Sequence, residues 1–469
     1  MKNKIRIPQL LLLALAIASL SACQSYKEIG TLPDTDTESL IRDHSNKGDT
    51  TSIANTPWRE YFSDPSLQSL ISEGLENNID LQVAITRIKQ AEANLEMANG
   101  NRLPTVSAGF QTSPSFTSSG DRGEDVFGYT SNQNSLGFTA SWEIDLWGKL
   151  ANQSKAQYAS YLNSIEYTNL VQTELIANIA GAYYNLLNLD KQLQVTKETI
   201  VLLQKSAETM VALKEAGQQN QLAVEQSYAL LYNTQLSVPV LEGQIREQEN
   251  TICLLLGKKP GEVKRSSIDN QEVNTNLQVG IPAQLLSHRP DVRQAELDVL
   301  SAYATTNIAK ASFYPTLSIS SASLGLIDGN FVNFFSLENL AASITAGITQ
   351  PLFNRKQIKG NLKIAEAQQE AALLSFSNTV LSAGEEVSSI LYNYESSLKK
   401  NDLRKKQITS LTKAVEYSQD LLIAGEAIYT EVLSAQQDLL SAQLNQISDK
   451  TEQLSYSVNL YKALGGGTE

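Results

Sequence analysis

The stretch LLIAGEAIYTEVLSAQ (residues 421–436) lies in a proline-free run from Leu352 to Glu469 that is dense in Leu, Ala, Gln, Glu and Lys. Such a run reads as very long helix, yet glycine inside a helix costs about 1 kcal/mol relative to alanine. The same Ala-Gly pair recurs in LKEAGQQNQLAVEQ (213–226). Residues 155–257 align with 363–465 without a gap, at a constant separation of 208. Lys155 falls on Lys363, Tyr184-Asn185 on Tyr392-Asn393, Ala216-Gly217 on Ala424-Gly425 and Leu256-Gly257 on Leu464-Gly465. Upstream, Asp80, Ala84 and Pro104-Thr105 match Asp291, Ala295 and Pro315-Thr316 at a separation of 211. The chain is a duplicated unit, with a period far longer than the roughly 20–50 residues of a solenoid repeat. Each half reads helix, strand, strand, long helix, Ala-Gly, helix.

The helical parts carry a narrow apolar seam. Ile179, Ala182, Leu186, Leu189, Leu193, Ile200, Leu203, Ala207 and Met210 keep a 3–4 spacing broken only at Thr196. Leu440, Leu444, Ile447, Leu454, Val458 and Tyr461 do the same, broken at Thr451. This is the pattern of coiled-coil packing. One helix over 149–215 would extend about 100 Å. Two shorter helices, over about 66–101 and between Gly217 and Gly257, would pack against it end to end.

Between the helices the period changes from 3.6 to 2. In SLGFTASWEIDLW (135–147), Leu136, Phe138, Ala140, Trp142, Ile144 and Leu146 alternate with Gly137, Thr139, Ser141, Glu143 and Asp145. TVSAGFQ (105–111) and SITAGIT (343–349) alternate in the same way. YPTLSISSASLGL (314–326) keeps Leu317 and Ile319 in phase, then slips so that Leu324 and Leu326 would face the other way, which predicts a bulge. Strands with one apolar and one Ser/Thr/Gly face fit either a soluble sheet or a transmembrane barrel, and their membrane-spanning length together with the signal at the start of the chain favours the barrel. A closed barrel needs about eight strands or more, and the chain offers four. It must share a barrel with copies of itself; two, three or four chains would supply 8, 12 or 16 strands. The polar segments 119–134 and 328–334 are then the external loops.

Composition excludes several classes. The formal charge is −13, an acidic surface that repels nucleic-acid phosphates. With two His and two Cys (His44, His288, Cys23, Cys253), no metal-ligand cluster can be assembled. No phosphate loop, nucleophile elbow or Cys-x-x-Cys is present, so no catalytic residue and no enzyme activity are expected. The start MKNKIRIPQLLLLALAIASLSAC (1–23) has a basic head and a short apolar stretch, the pattern of a secretory signal. Leu20-Ser21-Ala22-Cys23 resembles the lipobox of bacterial lipoproteins. That resemblance implies cleavage after residue 22 and a diacylglycerol plus an N-acyl chain such as palmitate on Cys23. Gln24 follows, which by the same resemblance sorts the protein to the outer membrane.

GIPAQLLSHRPDVRQAELDVLSAYATTNIAKASFYPTLSI (280–319), with its core of Pro282, Leu285, Leu286, Arg289, Pro290, Asp291 and Val292, resembles the signature of the TolC-like outer-membrane factor family. More narrowly, it resembles the lipoprotein branch that serves resistance–nodulation–division multidrug efflux. The resemblance implies an α+β membrane channel, a homotrimer. Its four strands per chain would form a shared 12-stranded barrel, and its long helices a periplasmic α-helical tube. The implied divisions are a signal (1–22), an extended equatorial segment (23–63), a first repeat (64–257), an equatorial insert (258–285), a second repeat (286–465) and an end (466–469). The implied function is passive conduction of drugs and small molecules to the exterior. A periplasmic adaptor and an inner-membrane transporter would be the partners, with outer-membrane lipid around the barrel and no nucleic acid. A duct for ABC-type protein secretion, or a lipid-anchored periplasmic scaffold, are the alternatives. By resemblance the turns at Ala216-Gly217-Gln218 and Ala424-Gly425-Glu426 are the adaptor-docking tips, and Tyr429, Thr430, Glu431 and Ser434 stand at the periplasmic aperture. The charged latch often seen there in related channels is absent.

Overall fold

The structure is a computed structural model and describes residues 40–42, 53, 56–118, 127–272, 288–329 and 334–468. The signal and Cys23 lie outside the described residues. In chain order the main elements are Trp58–Tyr61 (α1), Pro65–Asn77 (α2), Ile79–Gly100 (α3), Thr105–Ser118 (β1) and Phe127–Ile144 (β2). Then come Lys149–Glu215 (α4), Gln221–Leu255 (α5), Pro290–Ala311 (α6), Thr316–Asp328 (β3), Leu340–Thr349 (β4), Gln357–Ala424 (α7) and Tyr429–Ala463 (α8). The two halves match in length: α4 and α7 have 67 and 68 residues, and α5 and α8 have 35 each. Helices α4 and α7 are each about 100 Å long.

The four strands form one antiparallel sheet in the order β1-β2-β3-β4. Its register explains the alternating sequence. One cross-sheet row is Val106, Ala140, Ala322 and Ile344; the next on that face is Ala108, Phe138, Leu324 and Ala342. The intervening row on the opposite face is Ser107, Thr139, Ser323 and Ser343, where Ser107 meets Thr139 and Ser323 meets Ser343 through hydroxyl hydrogen bonds of 2.8 Å each. The apolar face is bare in the single chain, with Val106 64% and Ile344 77% exposed. Both outer edges, of β1 and β4, lack a strand partner among the described residues. A two-faced, open-edged sheet of this kind is completed by further copies rather than by its own chain.

The bulge falls where the sequence slips. Against both neighbours β3 carries one extra residue between Ile319 and Ser321. Its effect is the reverse of the expected one: the added residue returns Leu317 and Ile319 to the face of Leu324 and Leu326. Two boundaries also differ from expectation. Residues 127–134, read as external loop, belong to β2, and β2 ends at Ile144 although the alternation continues to Leu146. The helix expected over 66–101 is two helices broken at Asn78. There the side chain caps α3 by accepting from Leu81 N at 2.9 Å, and donates to the Leu255 carbonyl oxygen at 2.9 Å.

That break is where α3 and α5 meet end to end along α4. A Cβ on Gly257 would lie 2.5 Å from the Asn77 carbonyl oxygen, so only glycine admits this approach. The main core surrounds the middle of α4, with Ile176, Ile179, Tyr183, Leu186 and Leu187 packed against Leu67, Ile71, Leu241, Ile252 and Tyr461. Thr196, the break in the apolar seam, is itself buried. No helix among the described residues is long and apolar enough to cross a membrane.

Candidate functional site

The two Ala-Gly turns have the same hydrogen bonds. Gly217 N donates to the Lys214 carbonyl at 2.9 Å and Gln218 N to the Leu213 carbonyl at 2.8 Å. At the second turn Gly425 N donates to Leu422 O at 3.1 Å and Glu426 N to Leu421 O at 2.9 Å. This is the Schellman termination, which needs a left-handed residue. Gly217 and Gly425 supply it with φ of 72° and 76°. Ala216, Gly217, Gln218, Ala424, Gly425 and Glu426 are all exposed. The turns differ at the start of the returning helix. Asn220 caps α5 by accepting from Ala223 N at 3.1 Å, whereas its counterpart Ile428 offers α8 no side-chain cap and is exposed.

Just inside the turns the two hairpins share a seam. Met210, Ala223 and Val224 of the first hairpin pack against Leu422, Tyr429 and Val432 of the second. Tyr429 is 4% exposed. Burial raises its phenol above the ordinary range, opposed by hydrogen bonds to Ser206 of α4 and Ser227 of α5. Of the four aperture candidates, Tyr429 therefore points into this seam, while Thr430, Glu431 and Ser434 are exposed. The tip also exposes Leu222, Ile423 and Ile428. Ile428 was not a sequence candidate, because nothing in an apolar residue beside a turn tells which way it faces.

Arg289, Pro290 and Asp291 stand far from the tips, at the start of α6. The Arg289 guanidinium is buried and forks onto Asp291 at 3.0 and 2.7 Å, while Nη1 reaches Glu386 Oε2 at 2.8 Å and the Ala463 carbonyl oxygen at 2.6 Å. It thereby fastens α6, α7 and α8 together. The first repeat makes the same joint with different chemistry: Asn78 is equivalent to Arg289, and Leu255 to Ala463. The signature is a structural clamp.

Two polar groupings were not anticipated. Asp64 accepts from Ser66 N at 2.8 Å, Tyr183 OH at 2.7 Å, Gln271 Nε2 at 2.7 Å and Ser266 Oγ at 2.5 Å, joining three separate segments. Burial alone would raise this carboxyl, but the hydrogen bonds outweigh it and hold it below its ordinary 3.8. In the second hairpin, buried Asp449 pairs with Lys400 and Arg404, both at 2.8 Å. Its counterpart in the first hairpin is the apolar Leu241, so the register of the duplication was the signal that could have exposed it. Both carboxylates have depressed folded-state pKa values, so each stabilises the fold above the unfolded pKa and loses that contribution as pH falls through the folded one. The midpoint of helix loss, followed by circular dichroism in detergent, should therefore drop below about pH 4. Asp64→Asn should be less stable at pH 7 and less acid-sensitive. An unchanged acid slope in that variant would contradict the assignment.

Among the described residues no cluster could hold a metal ion. The sequence matches the protein family described as "Outer membrane efflux protein" over residues 70–258 and 281–466. It is 28% identical to the cation efflux system protein CusC of Escherichia coli over 414 residues, 88% of each chain. It is equally 28% identical over 432 residues, 90% of each chain, to the solvent efflux pump outer membrane protein SrpC of Pseudomonas putida. Its fold is similar to that of the outer-membrane channel OprN, with a TM-score of 0.85 at 26% identity, covering 93% of this chain and 98% of that one.

Proposed function

The chain belongs to the outer membrane efflux protein family, and we propose how this member works. It is a non-catalytic exit duct of the outer membrane: an internally duplicated channel in which three chains share one barrel above a helical tube reaching into the periplasm. The observation that carries the functional reading is the pairing of an open-edged sheet, apolar on one face, with two long hairpins that end in exposed glycine turns. We propose that a periplasmic adaptor seats on those turns and that an inner-membrane transporter of the resistance–nodulation–division class drives the cargo. Relatives at equal identity are named for cations and for solvents. That spread fits a passive conduit whose cargo is chosen upstream.

The seam at Tyr429 is proposed to keep the tube narrow at rest. Purified trimers in a planar bilayer should conduct weakly. Tyr429→Ala combined with Val432→Ala, which empties the seam, should raise the single-channel conductance several-fold. If no variant of the tip conducts more than the parent, the duct reading fails.

Membership of the lipoprotein branch rests on the ending Leu20-Ser21-Ala22-Cys23. We propose a diacylglycerol and an N-acyl chain on Cys23. Anchoring by acyl chains would add to the barrel's own insertion. Metabolic labelling with a palmitate analogue should mark the protein and be abolished in Cys23→Ser, while the variant still reaches the outer membrane. Label surviving in that variant would disprove the site.

A further inference from the structure

The charge of this chain is distributed unevenly. All four strands begin or end at one side of the sheet, where they join the helices. The segments that make this junction, 98–105, 140–155, 307–316 and 349–363, hold eight Lys and Arg against two Asp and Glu, in a chain with 37 bases and 50 acids. Both acids are already engaged. Glu143 pairs with Lys149 at 3.0 Å, and Asp145 accepts from the backbone N–H groups of Leu150 and Ala151, capping α4. Arg102, Lys310, Arg355, Lys356 and Lys359 are exposed and make no ion pair among the described residues.

Large apolar side chains stand beside these bases. Leu103 follows Arg102 at the start of β1, and Phe313 lies three residues after Lys310 before β3. After β4, Leu352 and Phe353 are 95% and 87% exposed, immediately ahead of Arg355 and Lys356. Trp147 stacks on Tyr314 at 4.8 Å, so the β2 and β3 ends carry aromatic rings as well. The backbone itself is notable here. Arg355 and Lys356 have φ of 53° and 65°, the only non-glycine residues among those described with positive φ. The equivalent of Lys356 in the first repeat is Gly148, with φ of 72°, which takes that conformation without a Cβ clash. The second repeat thus holds a lysine where the first has a glycine, next to an arginine that is itself left-handed.

We propose that this junction is a binding collar for anionic phospholipid headgroups of the periplasmic leaflet. The apolar side chains would enter the acyl region and the bases meet the phosphates, as expected of an interfacial belt. Charge complementarity selects the occupant. A net-acidic protein presents a basic zone, with five exposed and unpaired bases, at the level where the sheet leaves the bilayer. Because β1 and β4 are the open edges, closing the barrel would bring Arg102 of one chain toward Arg355 of the next and make the collar continuous. The proposal rests on the shared outer-membrane barrel.

The test is native mass spectrometry of the full-length trimer released from detergent, with phosphatidylglycerol and phosphatidylethanolamine of matched acyl chains in competition. The parent protein should retain phosphatidylglycerol preferentially. The triple variant Arg355→Gln, Lys356→Gln, Lys359→Gln should lose at least about tenfold of that preference. These side chains are exposed and unpaired, so the variant should remain trimeric. Equal retention of the two lipids by the parent, or an unchanged preference in the variant, overturns the collar. So does displacement of phosphatidylglycerol by soluble peptidoglycan fragments, which would assign the bases to the cell wall. Absence of any trimer from the parent preparation would instead overturn the shared barrel, and the collar with it.

Discussion

Arg289→Ala is expected to lower the stability of the joint at the start of α6 by about 2–4 kcal/mol, short of the full cost of breaking a buried ion pair because Asp291 and Glu386 keep part of their water. The guanidinium is half of a forked pair with Asp291 and also binds Glu386 and the Ala463 carbonyl. Alanine would leave one carboxylate at the foot of α6, another on α7 and a helix-terminal carbonyl on α8 without their donor. Lysine keeps the charge but lacks the fork, and should recover only part of the loss. Asn78→Ala at the equivalent joint removes two neutral hydrogen bonds and should cost less, about 1–3 kcal/mol. Chemical unfolding of the detergent-solubilised trimer, followed by far-UV circular dichroism, would rank the three variants. A smaller loss for Arg289→Ala than for Asn78→Ala would show that the clamp is not where the junction is held.

This pairing also shows what could and could not be read from the amino acids alone. The 208-residue register exposed the duplication, the long helices and the four strands, because burial on one face imprints a period on each. The bulge in β3 was visible for the same reason: Leu317 and Leu324 cannot share a face of a regular strand. The break at Asn78 was not visible. The apolar spacing runs through it, and what breaks the helix there is an approach by Gly257 and Leu255 from some 180 residues away. The tip glycines were legible as turns from φ preference. The orientation of Tyr429 was not, since it depends on Ser206 and Ser227 in two other helices. Asp449 was hidden because an apolar-pattern reading passes over a charge that finds its partners one helix away.

The largest functional effect should come from Gly425→Pro. Proline fixes φ near −65°, whereas Gly425 sits at 76°, and it removes the N–H that donates to Leu422. The residue before a proline is also pushed away from helical geometry, so the last turn of α7 must unwind and the tip must be rebuilt. Nothing lies within 4 Å of where a Cβ on Gly425 would be, and neither the sheet nor the clamp at Arg289 touches this turn. Cells carrying the variant with its own adaptor and pump should therefore lose efflux down to the level of a deletion strain, while the trimer in detergent resists heat as before. Gly425→Ala imposes only left-handed strain of about 1–2 kcal/mol and should retain most of the efflux. Gly465→Ala separates the two consequences. It has the same Schellman role with φ of 85°, but its Cβ would stand 2.5 Å from the His288 carbonyl oxygen, beside the Arg289 clamp. That variant should weaken the trimer far more than Gly425→Ala does. Full drug resistance in Gly425→Pro would mean that this turn is not where the duct meets the machinery that fills it.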